Sequence, residues 1–451
     1  MARAAKKQNM LTPEEKLAQA LVPEAEWPYQ VPENWCWIRI RNLCVLRNGR
    51  AFKPKEWSET GLPIVRIQNL NNPESEYNYY SGEVEEDHML YGGELLFAWS
   101  GTPGTSFGAY IWNGHEAVLN QHIFRVDINE EYINKAFIMY AINQQLEMLI
   151  SAAHGGAGLQ HVTKGVFEST PIVFPPYREQ QRIVDCIKSL FAKLDEAKEK
   201  AQAVVDGFED RKAAILHKAF SGEITEEWRE KNNTALKSWI TESIKESCTI
   251  GSGGTPSRKN ADYYHGDIPW VKTGEIDWND LYDTEEHISQ AAIDNSSAKV
   301  FPEESILVAM YGMGITRGRA AILKVQAATN QAVCVLQPKK HLLNRYLYYY
   351  FMCNYKDIRA QAVGGNQLNL SGTIISKLVI NIPTIPEQLE IIRVLDILLK
   401  KEQEAKEVAE EIIVQIDSIK KSILVRAFRG ELGTNDPDDE SAVELLKNII
   451  L

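Results

Sequence analysis

Ala219-Phe220-Ser221-Gly222-Glu223 is answered 208 residues later by Ala427-Phe428-Arg429-Gly430-Glu431. The match runs back without a gap, so residues 179–223 align on 387–431. Glu179-Gln180 falls on Glu387-Gln388, Ala197-Lys198 on Ala405-Lys406, and Ile215-Leu216 on Ile423-Leu424. Such a repeat governs the architecture and has to be recognised before local structure. Weaker matches continue upstream with small insertions: Leu62-Pro63-Ile64-Val65 on Ile268-Pro269-Trp270-Val271, Phe97-Ala98-Trp99 on Val308-Ala309-Met310, Asn120-Gln121 on Asn330-Gln331, and Gly155-Gly156 on Gly364-Gly365. The 451-residue chain is therefore two copies of one plan, a variable globular half followed by a similar helical segment.

The helical segments carry apolar residues at alternating steps of four and three. The first copy has Ile183, Ile187, Leu190, Leu194, Ala197, Ala201, Val204, Phe208, Arg211 and Ile215. The second has Ile391, Leu395, Leu398, Glu402, Ala405, Ala409, Ile412, Ile416, Ile419 and Ile423. That pattern predicts a coiled-coil seam, and two such seams from a duplicated element are expected to pack on each other about a pseudo-two-fold axis. Arg211 and Glu402 break the seam and read as charged heads snorkelling at its edge. Pro175-Pro176 and Pro383/Pro386 block continuation from upstream, and Gly222 and Gly430 mark the ends. A helix from 180 to 220 would be roughly 60 Å long.

Thr12 and Glu15 fit a capping box with Pro13 at the first helical position. Leu11-Thr12-Pro13-Glu14-Glu15 resembles Ile224-Thr225-Glu226-Glu227, so each piece precedes its globular half in a near-circular arrangement. The expected organisation is an amino-terminal arm and short helix (1–31), a first globular domain (32–176), a central helical spacer (177–235), a second globular domain (236–384), a distal helical spacer (385–432), and a tail (433–451) with an acidic loop and a terminal helix. Short runs rich in Ile, Val, Tyr and Trp, separated by Gly, Asn and Pro turns, make each globular domain mixed α and β. The fold class is α+β.

At 44% hydrophobic and 24% charged, the chain can bury real cores. It has no run of about 18 apolar residues and no signal-peptide pattern, so a cytoplasmic protein is expected. Six cysteines (Cys36, Cys44, Cys186, Cys248, Cys334, Cys353) are scattered without metal-ligand spacing and read as free thiols. A net charge of −12 argues against nucleic acid on average. Locally, Arg39, Arg41, Arg47, Arg50, Lys53 and Lys55 cluster ahead of an acidic stretch, 72–94. Arg258, Lys259, Lys272, Arg317, Arg319 and Lys324 stand against the acidic run Glu275 to Glu286. This segregation predicts a basic face on each half, suited to phosphate and base-edge contact.

No phosphate-binding G-x-x-x-x-G-K-[ST] loop, H-E-x-x-H or Asn-Pro-Pro-aromatic run occurs, so no catalytic residues and no metal site are expected. Gly251-Ser252-Gly253-Gly254 reads as a turn, and His115, His154 and His161 as isolated hydrogen-bonding residues.

Several segments resemble recurrent motifs of the specificity subunits of type I restriction-modification enzymes. They are Gly49-Arg50-Ala51-Phe52-Lys53 with Trp57; Gly253-Gly254-Thr255-Pro256-Ser257; Ile268-Pro269-Trp270-Val271-Lys272-Thr273-Gly274-Glu275-Ile276; Leu307-Val308-Ala309-Met310-Tyr311-Gly312; Ala328-Thr329-Asn330-Gln331-Ala332; and Pro386-Glu387-Gln388. The first half lacks a clear Gly-Thr-Pro, offering Gly101-Thr102-Pro103 later, and Pro63-Ile64-Val65-Arg66-Ile67-Gln68-Asn69 in place of Pro-Trp-Val-Lys-Thr-Gly. The resemblance implies two target-recognition domains, each reading part of a bipartite double-stranded DNA target. It also implies a helical pair that sets the spacer and docks two adenine methyltransferase subunits, with motor-endonuclease subunits joining afterwards. This chain would hold no cofactor, with S-adenosylmethionine and ATP/Mg in the partner subunits. Expected DNA contacts are Arg47, Lys53, Lys55, Arg66, Gln68, Ser100, Thr102 and Gln160 in the first half. In the second they are Arg258, Lys259, Lys272, Thr273, Tyr311, Arg317, Arg319, Asn366, Gln367 and Asn369. A coiled-coil scaffold without base readout would explain the seam but not the duplicated globular halves, and a stand-alone nuclease or methylase lacks its motifs.

Overall fold

The computed structural model describes residues 12–102, 105–156, 159–312, 315–363 and 369–450, the side chains of 154–156 and 159 excepted. Leu11, Pro103, Gly364, Gly365, Asn366 and Gln367 lie outside the described residues. The chain forms two compact units, Met1–Lys200 with Ile412–Leu451, and Ala201–Glu411. Both boundaries fall inside long helices, Tyr177–Asp206 and Ile385–Phe428. Each unit thus owns a mixed α and β domain and a stretch of both helical segments.

Within the first unit, Leu95–Ala98 is buried at every position because its two faces enter different cores. Leu95 and Phe97 pack with Phe137, Ile138 and Ile142 of the helix Lys135–Gln144, and Leu96 packs with Val65, Leu119 and Ile123. Alternation with period two sends neighbours to opposite sides, so a strand covered on both faces reads as an unbroken apolar run. Its sheet runs Cys44–Asn48, Ile123–Ile128, Leu95–Ala98, Gly108–Ile111, all antiparallel. A second sheet is ordered Asn78–Tyr80, Leu62–Val65, Ala117–Leu119, Met89–Leu90, with the central pair parallel. Cys36–Arg39 and Pro171–Phe174 close the domain as an antiparallel pair.

The second unit repeats the scheme. Ile306 and Val308 enter one core, with Tyr346 and Leu347 of the helix Asn344–Cys353, and Leu307 and Ala309 enter another, with Val271 and Leu323. Ile268–Val271 and Ala327–Thr329 form the parallel pair, and Ile240–Ser243 with Val379–Ile382 the closing pair.

The repeated Glu-Gln dipeptides join each domain to its helix. Gln180 Nε2 donates to the Pro175 carbonyl (3.0 Å), and its Oε1 accepts from the Asn134 amide (2.8 Å). Gln388 does the same with Pro383 and Leu343, both at 2.8 Å. Asn134 and Leu343 are the N-cap positions of the two domain helices, so each glutamine ties a long helix to a free helix terminus. Glu387 is fully buried and accepts from Arg229 Nη1 (2.7 Å), Thr225 Oγ1 (2.9 Å) and Trp239 Nε1 (2.9 Å). Glu179 accepts from Thr434 Oγ1 (2.6 Å) and Arg182 Nε (2.9 Å). Burial pushes the Glu179 carboxyl above the usual carboxylate range, against the pull of these two donors.

The helical segments depart from expectation in four respects. The first is two helices, Tyr177–Asp206 and Phe208–Phe220, interrupted at Gly207, where the Arg211 guanidinium occupies the space of a Cβ and donates to the Val204 carbonyl (2.8 Å). Arg211 and Glu402 do not snorkel separately; Arg211 Nε donates to Glu402 Oε2 at 2.7 Å. Pro386 lies inside the first turn of Ile385–Phe428, where its missing N–H costs nothing. Finally, the seam is only partly covered. Ile183, Ile187, Ala201 and Phe208 are buried, as are Ile391, Leu395, Ala409 and Ile416, but Ala197, Ala405, Ile412 and Ile419 are exposed. In the first unit Lys198 pairs with Asp417 (2.9 Å) and Asp195 with Lys420, an order that makes the two helices antiparallel. Gly222 and Gly430 follow the helices at positive φ (82° and 73°), the left-handed stop that favours glycine.

Thr12 and Glu15 form the capping box, opening the helix Pro13–Ala20. The tail returns to the same unit. Asn34 Nδ2 donates to the Asp436 carbonyl (3.0 Å), Trp35 Nε1 to Asn435 (2.9 Å), and Ala442–Ile450 buries Ala442, Leu445 and Leu446.

Candidate nucleic-acid interface

In the first unit, the strand Leu62–Val65 ends at Arg66, which caps the short helix Ile67–Asn71 through its amide to Asn69 Oδ1 (3.1 Å). The strand Leu95–Ala98 leads into Ser100–Gly101, which pairs with Leu159–His161. Gly101, at φ 135°, permits the turn there. These ends enclose a cleft of about 370 Å³ lined by Ile67, Gln68, Asn71, Ser100, Gly101, Thr105, Ser106 and His122. Gln68 and Ser100 meet there, Gln160 pairs with Gly101 at its edge, and exposed Thr102 follows. Asn71, which the sequence did not single out, is fixed by Tyr110 Oη (2.6 Å) and donates to the Thr105 carbonyl.

A second cleft, of about 340 Å³, is lined by Leu46, Asn48, Trp99, Phe124, His161, Val162, Thr163 and Lys164. Between the two, Trp99 Nε1, His122 Nδ1, Gln160 Oε1 and His161 Nδ1 are buried without a hydrogen-bond partner. Leaving such a group unsatisfied costs about 1–3 kcal/mol. Burial, and then His161, lower the His122 pKa from 6.5, so this imidazole is neutral at pH 7.

Charge segregation in the sequence does not become a continuous basic face. Arg47 is held by Asp87 and Asp127, Arg39 by Glu26 (2.9 Å), and Arg50 by Glu56 (2.6 Å). Lys272 binds Glu285 (2.7 Å) and Glu286 (3.2 Å), Arg258 binds Glu286 (2.7 Å), Arg319 binds Asp277, and Lys324 binds Glu304 (2.7 Å). Strand pairing brings the acidic stretches back beside the basic ones, and opposite charges at contact neutralise each other. Lys53, Lys55 and Lys259 are exposed. Arg66 lies over Trp57 (5.8 Å) and Arg258 over Tyr264 (4.1 Å) and Trp270 (5.3 Å), stacking that holds a guanidinium in place.

The second unit builds the same corner from different residues. Lys272 takes the place of Arg66, with its amide on Glu275 (2.6 Å), and Thr273 accepts from Asn330 Nδ2 (3.4 Å). Tyr311 is exposed at the place of Ser100, ahead of Gly312 at φ 144°. Gly101 is therefore the counterpart of Gly312 and not of the Gly254-Thr255-Pro256 turn. That turn corresponds to Arg50-Ala51-Phe52, since Gly49 and Gly253 both abut a backbone carbonyl, of Asn120 and Thr329, where a Cβ would collide. Arg317 lines a surface cleft of about 380 Å³ with Lys356, Arg359, Ala360 and Ala362. Lys356 and Arg359 escaped notice, although their i, i+3 spacing on the helix Tyr355–Ala360 was a readable signal. Asn369 exchanges backbone hydrogen bonds with Val363 (3.0 Å each).

Among the described residues, no helix is long and apolar enough to cross a membrane, and no cluster of His, Cys, Asp or Glu could hold a metal ion.

The family model described as the type I restriction modification DNA specificity domain matches twice, at residues 32–205 and 237–412. Among curated relatives, the type I restriction enzyme EcoBI specificity subunit of Escherichia coli is 24% identical across 93% of this chain and 92% of its own length. The EcoKI specificity subunit of Escherichia coli strain K12 is 22% identical across 93% and 96%. Two solved structures share the fold. One is a chain from a study of assembly and conformational transition of the type I R-M system (TM-score 0.67, 19% identity, 90% of this chain and 100% of that one). The other is the HsdS subunit from Thermoanaerobacter tengcongensis (TM-score 0.63, 18% identity, 90% and 100%).

Proposed function

This chain belongs to the type I restriction-modification DNA specificity family, and from that membership we propose that each of its two domains reads one half of a bipartite double-stranded DNA target, directing adenine methylation and restriction. The observation that carries the reading is the duplicated corner at Arg66 and Lys272. In both units a cation caps a short helical turn beside a glycine-bearing strand end, and the residues around that frame differ. A constant frame with variable polar side chains is what reading two unrelated half-sites requires.

Base-edge contacts fall to Gln68, Ser100, Thr102 and Gln160 in the first half, and to Thr273, Tyr311, Asn366, Gln367 and Asn369 in the second. Lys53, Lys55, Arg66, Lys259, Arg317, Lys356 and Arg359 contact phosphates. Arg47, Arg319 and Lys272 serve chiefly to order the domains, since carboxylates already engage them.

The helical pair sets the spacing of the half-sites and docks two methyltransferase subunits. On Ile385–Phe428, Ile412 and Ile419 stand exposed in the first unit, and Ile397 and Val408 in the second, each a surface suited to an apolar partner. The chain itself is non-catalytic and works in the cytoplasm. Partner subunits supply S-adenosylmethionine and the ATP/Mg-dependent motor-endonuclease. Single-molecule sequencing of methylated adenines in the host, with and without this gene, tests the reading. One bipartite motif that disappears on deletion supports it; methylation unchanged by deletion overturns it.

A further inference from the structure

The first domain holds buried polar atoms without partners at one tryptophan and the two imidazoles around it, Trp99 Nε1, His122 Nδ1 and His161 Nδ1, and a further one, Gln160 Oε1, at the strand position next to His161. The ring centroids of His122 and His161 lie 5.4 and 5.7 Å from that of Trp99, and Phe124 stacks on it at 5.5 Å. Side chains at 160 and 161 leave opposite faces of their strand. His122 lines the cleft with Gln68, Asn71 and Ser100, and His161 lines the other with Trp99.

Among the described residues, the same backbone in the second unit carries neither the indole nor the two imidazoles. The Trp99 amide donates to the His122 carbonyl (3.2 Å) and its carbonyl accepts from the Val162 amide (2.9 Å). In the second unit the Met310 amide donates to the Ala332 carbonyl (2.9 Å) and its carbonyl accepts from the Leu370 amide (2.9 Å). Met310 therefore stands for Trp99, Ala332 for His122 and Asn369 for His161. The scaffold is kept while the indole and the two imidazoles are replaced, so the fold itself does not require them.

We propose that His122 and His161, arranged around Trp99, with Gln160 on the strand beside Gly101 and Asn71 in the cleft, are specificity-determining residues of the first domain. This rests on the reading of the domain as a DNA half-site reader. The indole N–H is a donor only, and a neutral imidazole nitrogen donates or accepts according to tautomer. The Gln160 amide, at the cleft edge, has the donor–acceptor pair that fits adenine N6 and N7. These four side chains are partly exposed although the unsatisfied atoms are not, and their turning as the duplex seats brings those atoms to base edges.

The test uses the complete chain assembled with its methyltransferase subunits, on duplexes carrying each single-base substitution of the native target. Trp99→Phe keeps the ring and removes the N–H, Gln160→Leu removes the amide, and His161→Phe keeps a ring without its nitrogens; thermal unfolding accompanies each. We expect discrimination at base pairs of one half-target to fall on the order of ten- to a hundredfold, with the other half-target unaffected. Gln160→Leu carries the test should a ring substitution unfold the domain. Undiminished discrimination in every folded variant overturns the assignment, as does a uniform loss of methylation without change of preference. A wild-type complex with no bipartite preference at all would instead sink the half-site reading itself.

Discussion

Arg229→Leu strikes the buried joint between the second domain and its helix. The Arg229 and Glu387 side chains are 9% and 0% exposed, and Arg229 Nη1 reaches both Glu387 Oε1 (2.7 Å) and Thr225 Oγ1 (3.0 Å). Removing one partner of a buried pair strands the other charge, at about 3–5 kcal/mol. Thr225 and Trp239 still donate to Glu387, so the lower end, about 3 kcal/mol, is expected. For a unit of this size each kcal/mol shifts the midpoint by about 2–4 °C, so its unfolding transition should fall by about 6–12 °C. Urea denaturation with a double-mutant cycle checks the cause. Arg229→Leu with Glu387→Leu should cost less than the two singles added, because the stranded charge is gone. A loss under about 1 kcal/mol for Arg229→Leu, or strict additivity, would refute the reasoning.

At Gly253 a Cβ would strike the backbone carbonyl of Thr329, so Gly253→Ala should destabilise the second unit by about 1–3 kcal/mol in thermal unfolding, and an unchanged midpoint would contradict the close approach. Glu179 has a folded pKa above its unfolded value, so its favourable contribution is complete below about 4.3 and declines as pH rises through the folded pKa. Glu179→Gln should accordingly gain on the wild type in unfolding free energy from pH 4 upward, whereas a constant difference would show no such shift. Ile412→Glu with Ile419→Glu, both exposed, should leave the unfolding free energy within about 0.5 kcal/mol while weakening methyltransferase association in ultracentrifugation; undiminished association would remove these two residues from the docking face.

The duplication was legible because Glu179-Gln180 and Glu387-Gln388 are held by near-identical joints, which tolerate little change. Apolar runs such as Leu95–Ala98 announced strands for a similar reason, since both faces are enclosed. The basic clusters were legible but not their ion pairs, because charge along the chain says nothing about which carboxylate strand pairing will bring back, as with Arg47 and Asp127. Periodicity gives a face and not what covers it: Ile183, Ile187, Ile391 and Leu395 on the pattern are buried in the domain cores, whereas Ile412 and Ile419 are exposed. Gly207 passed as an ordinary helical position because the break depends on Arg211 folding back over it. Gln160 and His161 were named singly, but their grouping with Trp99 and His122 could not be seen, since positions 99, 122 and 160–161 lie on separate segments that meet only in the fold.

The central claim is that two interchangeable readers share one chain. Exchanging residues 32–176 for the corresponding domain of another family member, followed by methylome sequencing, tests it most directly. One half of the bipartite motif should change while the other half and the spacer persist. Alteration of both halves, or of neither, would contradict the account.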